Sequence, residues 1–176
     1  MNNQKKKPRP IEENSAPVAH GADDLPVVRV TSYNLELRNK DGFIGDKANK
    51  AAFRNTIEAW RKRVRTGGPD PLGDVPTDGL SKKEIDALLE EGETEAASLV
   101  LAAIDDFATE LAGILARYLR EEAWKGTERI VVGGGFKDSK AGLMAIARAQ
   151  IRLKAEGLKV NLVPIAHHPD EAGLIG

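Results

Sequence analysis

Gly133, Gly134 and Gly135 stand between the apolar run Ile130–Val132 and a helix start at Ser139 and Lys140. Three successive residues without a Cβ permit positive φ and let backbone approach a ligand face closely. Amides near the following helix start can meet an anion. Two phosphate-binding patterns can be tested by arithmetic. Both GxxxxGK[ST] and GxGxxG, begun at Gly133, need glycine at position 138, where Asp138 stands. Neither pattern is met. On local pattern a tight β-to-α turn explains the glycines as well as a ligand does.

The other chemistry-bearing residues point less far. Asp105, Asp106 and Glu110 share the exposed side of one long helical segment, and neighbouring carboxylates there read as a solvated edge rather than as acid catalysts. His167 and His168 are adjacent, so on a strand they point opposite ways and do not chelate one metal. Trp60 and Trp124 read as core or interface anchors. Arg61, Lys62, Arg63 and Arg65 form the basic outer face of a helix. No Ser/His/Asp ordering emerges. Cysteine is absent, which removes disulfides, thiolate nucleophiles and cysteine-ligated zinc.

The elements that must position these residues follow from period and punctuation. Residues 1–24 hold prolines, scattered charge and the cluster "KKKPR", and read as a disordered, solvated tail. "LPVVRVTSYNLELRN" alternates as a strand from Leu25, and "NKDGFIGD" is a turn. Ala48 to Val64 is an amphipathic helix, and "TGGPDPLGDVPTDG" is a loop or lid whose glycine and proline forbid regular structure. Ser81 with Glu84 makes a capping box, and Gly92 suits a C-cap. Leu99, Ala103, Ile104, Phe107, Leu111, Ile114 and Leu115 recur at helical spacing in a central packing helix rich in alanine. "ERIVV", then a helix closed by Gly157, then "LKVNLVPIA" form a βαβ unit with parallel, buried strands. "PDEAGLIG" opens a further helix, and the chain is expected to be truncated there.

Totals set outer limits. The 176 residues suffice for one domain with a real core, and 41% hydrophobic against 30% charged is a soluble balance. A net charge of −1 supplies no global field toward nucleic acid or anionic membrane. No apolar run reaches the roughly 18 residues that span a bilayer. The expected setting is cytoplasmic, with no membrane or nucleic-acid partner.

Taken together, "ERIVVGGGFKDS", a helix and "VNLVPIAHHPDEAGLIG" resemble the C-terminal portion of the ROK family of bacterial sugar kinases and repressors. The resemblance rests on Ile130, Val131, Val132 and Gly133–Gly135, then Asp170, Ala172, Gly173 and Gly176, after a long helix with an acidic start. It spans about Ser81 to Gly176. It implies an α/β, actin-like ATPase (ribonuclease H-like) half-domain, with residues 25–176 as the C-terminal lobe of a ROK-like kinase. In that family the glycine turn lies beside the adenosine of ATP-Mg. Gly133, Gly134 and Gly135 would then border adenine and ribose, with Phe136, Asp138, Ser139 and Gly173 nearby. The D-x-G-G-T phosphate motif, the catalytic Asp and the E-x-G-H sugar motif have no counterpart in this chain. The expectation is therefore the nucleotide-binding half of an ATP-dependent sugar kinase, not competent alone. Its expected partners are a nucleotide, a sugar, and a complementary lobe or second copy. The alternative is a non-catalytic nucleotide- or sugar-binding or self-association module.

Overall fold

The computed structural model describes residues 37–165. They form a mixed α/β unit of four helices, a small hairpin and one parallel strand pair. The strand expected from Leu25, the two histidines, Gly173 and the last expected helix lie outside the described residues. Among the described residues no helix is long and apolar enough to cross a membrane.

Strand β1 (Arg38–Asn39) and strand β2 (Gly42–Phe43) pair antiparallel where the sequence reads as a turn. The Asn39 side chain accepts from the Asp41 amide at 2.9 Å, closing an Asx turn on Gly42, whose φ is +117°. Helix α1 (Lys50–Val64) starts where Asn49 accepts from the Ala52 amide at 2.8 Å. Helix α2 (Lys82–Glu90) carries the full capping box: Ser81 and Glu84 each accept from the other's backbone amide. Gly92 lies just past the C-cap for a packing reason. A Cβ there would stand 2.4 Å from the Leu88 carbonyl oxygen.

Helix α3 (Thr94–Tyr118) is the centre of the unit and packs against helices α1, α2 and α4 (Lys140–Ala155). Val100, Ala103, Ile104 and Ala108 on it are fully buried. The alanines admit the neighbouring helices closely, as the composition of this segment anticipates. A large apolar side chain buried in such a core contributes about 1.5–3 kcal/mol. Phe53 of α1, Phe107 of α3 and Phe136 meet edge to face, with ring centroids 5.0–5.5 Å apart. The acidic residues of α3 serve as ties: Asp105 accepts from Arg152 at 2.8 Å, Asp106 from the Trp60 indole at 2.9 Å, and Glu110 pairs with Lys47.

Strands β3 (Arg129–Val132) and β4 (Asn161–Pro164) pair in parallel, with Arg129 opposite Asn161 and Val132 opposite Pro164. Helix α4 connects them, as the βαβ reading requires. It ends in a Schellman motif: Gly157, at φ +79°, donates to Lys154 O and Leu158 donates to Leu153 O. On β4 the Gln150 side-chain amide donates to Val160 O at 2.8 Å and accepts from Leu162 N at 2.5 Å. The strands are not buried on both faces, contrary to the sequence expectation. Ile130, Val132 and Leu162 join the core, whereas Val131 is 63% and Val163 39% exposed. Only the face toward the helices is covered.

The segment between α1 and α2 departs further from expectation. Arg61, read from sequence as part of a solvated basic face, is 1% exposed. Its Nε donates to Asp70 Oδ2 at 2.8 Å, Nη1 to Val75 O at 2.6 Å and Thr77 Oγ1 at 2.9 Å, and Nη2 to Gly73 O at 2.7 Å. Thr77 in turn donates to Glu58 Oε2 at 2.6 Å, and Arg65 bridges Asp70 and Glu58. The loop wraps a cation that α1 presents to it. Burial would push the Asp70 carboxyl up, but the Leu72 amide and the Arg61 and Arg65 guanidiniums outweigh it and hold it below the ordinary value. The Thr77 hydroxyl and, more weakly, the same two arginines lower Glu58 against a smaller effect of burial.

Candidate functional site

The glycine turn leaves the carboxyl end of β3 and enters a short 3-10 turn, Gly135–Asp138, before α4 begins. Parallel pairing brings the ends of β3 and β4 together there, and Ile165 N donates to Val132 O at 2.9 Å. Ligands in open α/β sheets bind at this end. Of the three glycines only Gly134 has a positive φ, +81° with ψ 165°. A Cβ on Gly133 or Gly134 would meet no atom within 4 Å, and on Gly135 only Lys82 Nζ at 3.5 Å. Internal packing therefore explains neither Gly133 nor Gly135. Their backbone forms an open ledge.

The following residues are tied inward. Phe136 turns its ring into the edge-to-face cluster with Phe53 and Phe107. Ser139 is buried; its hydroxyl donates to Phe136 O at 2.8 Å and accepts from Gly142 N at 3.1 Å, capping α4. Asp138 is exposed and pairs with Lys137. Thus Gly133–Gly135, Phe136, Asp138 and Ser139 do share one end of the sheet. Gly133 and Gly134 face open space, and Ser139 spends its hydroxyl on the helix start.

Two residues that sequence reasoning did not single out shape the site. Asp86 of α2 accepts from the Lys140 amide through Oδ2 and the Ala141 amide through Oδ1, both at 2.9 Å. The helix terminus that could have received an anion thus already holds a carboxylate from its own chain. Gly142 supplies the close approach that the triple glycine does not: a Cβ there would lie 1.8 Å from Phe136 O. The sequence did carry one sign of this, a glycine in the first turn of an otherwise alanine-rich helix. Asp86 had no such sign, since it sits in a helix with many acids.

Above the turn, Lys82 Nζ donates to Gly135 O at 2.9 Å, linking α2 to the glycine ledge. Among the described residues no group of three acidic or imidazole side chains could hold a metal ion. No family model, curated protein or solved structure matches this chain.

Proposed function

We propose that the chain is the nucleotide-binding half of an ATP-dependent sugar kinase of the ROK-like kind, with adenosine lying along Gly133–Gly135. One observation carries the reading: an open glycine ledge, with Gly134 at φ +81°, at the carboxyl end of a parallel strand. A flat base and ribose need backbone without side chains in their way; Gly134 is required by its own positive φ, whereas no internal contact requires the missing Cβ of Gly133. The Asp86 carboxylate at the start of α4 supports an adenosine side rather than a phosphate cradle, because it repels a second anion. Phe136 supports the ledge from below. Phosphoryl transfer additionally needs a base for the sugar hydroxyl and groups that align the phosphates, and the complementary lobe would supply them.

The experiment is a calorimetric titration of ATP-Mg and of adenosine into wild type and into Gly134→Val. Both ligands should bind wild type, and the valine, β-branched at a positive φ, should abolish binding while the thermal melt remains cooperative. Equal binding by the two proteins, or none by either, removes adenosine from this turn. A second reading, a non-catalytic module that self-associates, is favoured by the exposed apolar face formed by Val131 and Val163, with Leu143 and Ile151 of α4 also exposed. Sedimentation velocity with Val131→Lys separates it: a dimer that the lysine dissociates supports self-association.

A further inference from the structure

Below the glycine ledge lies a crevice between the start of α1, the start of α2 and the 3-10 turn, walled by Phe53, Phe136 and Ser139 among others. Three cations line it, Lys50, Arg54 and Lys82, and no carboxylate does. None of the three takes part in an ion pair among the described residues, although Arg61, Arg65, Arg148 and Arg152 all do. Arg54 donates from Nη2 to Leu80 O at 2.6 Å, while its Nε is buried without any acceptor. A buried charged donor with no partner calls for a bound water or ion. Lys82 spends one of its three N–H groups on Gly135 O and keeps two.

We propose that this crevice is a phosphoryl-group site, in which Lys50, Arg54 and Lys82 hold the oxygens of a terminal phosphate. Three unpaired cations around one opening suit a dianion, and a guanidinium fork suits phosphate geometry. The crevice holds only ≈ 20 Å³ of water-accessible space. That is room inside for about one water-sized group, so a single oxygen enters and the remainder of the ligand stays outside. Ala141, whose amide the Asp86 carboxylate holds, also lines the crevice, so the three cations have to outweigh that one negative charge. The apolar walls lower the local dielectric and strengthen each contact. The site stands without the adenosine reading; only its extension to nucleotides rests on that reading.

The test titrates inorganic phosphate, ADP, adenosine and acetate at low salt, followed by amide NMR shifts of residues 49–54, 80–86 and 134–142. Phosphate should saturate, with shifts centred on this crevice, and acetate should bind far more weakly. Lys50→Gln and Lys82→Gln should each weaken phosphate roughly tenfold, the loss expected of one charge-assisted hydrogen bond, and Lys159→Gln should not. Among the described residues Lys50 makes no side-chain hydrogen bond, so its substitution leaves folding out of the comparison. Phosphate affinity unchanged in Lys50→Gln and Lys82→Gln, or equal to that of acetate, overturns the site. Binding of phosphate without adenosine supports the site and removes the nucleotide extension. Binding of adenosine with no added affinity from the phosphates of ADP, and no saturable binding of inorganic phosphate, keeps the ledge and sinks the phosphoryl site.

Discussion

Two loops rich in glycine, residues 66–79 and 133–139, end up under opposite regimes. The 66–79 loop holds proline and glycine at a density that suggests a loose excursion, yet it closes around Arg61, which is 1% exposed and makes four hydrogen bonds to it. The 133–139 loop carries a triple glycine that suggests tight packing, yet a Cβ on Gly133 or Gly134 would touch nothing. The difference teaches where loop order comes from. A loop without regular structure must still satisfy its carbonyl groups, and one guanidinium from a neighbouring helix satisfies two of them with a carboxylate and a hydroxyl. The glycine ledge meets a single side-chain donor among the described residues, Lys82 on Gly135 O, and leaves Gly133 and Gly134 facing open space.

The contrast is sharpest if the cation is removed. Arg61→Met should cost about 3 kcal/mol, because it removes the donor to the Gly73 and Val75 carbonyls and leaves Asp70 to Arg65 and the Leu72 amide, as read by urea denaturation. Hydrogen exchange across 70–77 should rise in parallel. A loss under about 1 kcal/mol would mean that the loop holds itself. Acid should loosen the same region. Asp70 and Glu58 are held below their ordinary values in the folded state, so their contribution is complete above about pH 5.5 and is lost as pH falls through the ordinary and then the lowered values. Denaturation series from pH 7 to pH 2.5 should show that acid limb, and Arg61→Met should flatten it.

Substitutions around the turn rank below these. Gly142→Ala should destabilise by about 2 kcal/mol despite alanine's better helix propensity, since its Cβ would meet Phe136 O at 1.8 Å. Asp86→Ala should cost about 1 kcal/mol by uncapping the start of α4, again by urea denaturation. Smallest is Gly133→Ala, expected within about 0.5 kcal/mol of wild type, because its Cβ has open space. If Gly133→Ala proved as costly as Gly142→Ala, the ledge would be packed after all.

Local grammar was readable from residues alone. Ser81 with Glu84, Ser139 before α4, Gly157 after it and the parallel β3–β4 pair all follow from caps and periods, because those signals act within a few residues. Arg61 was not readable. Its identity matches the adjacent Lys62, Arg63 and Arg65, and only the path of a loop up to sixteen positions away buries it. Asp86 fails for the same reason, since the helix start it caps lies over fifty positions away, whereas Gly142 left a sign in its place in the first turn of α4. The glycine turn itself was legible as a turn at the carboxyl end of a parallel strand. Which of its residues face outward was not, since that depends on Phe136 docking against α1 and α3.

Gln150 makes the two margins of the parallel pair unequal. Asn161 N and Ile165 N donate toward β3, so Val160 O and Leu162 N point the other way, and the glutamine amide engages both. A side chain from α4 thus stands in for a neighbouring strand at that point of β4. Any strand that widens this sheet, from this chain or another, meets a plugged border beside β4. Growth of the sheet is steered to the far side of β3, next to the glycine ledge.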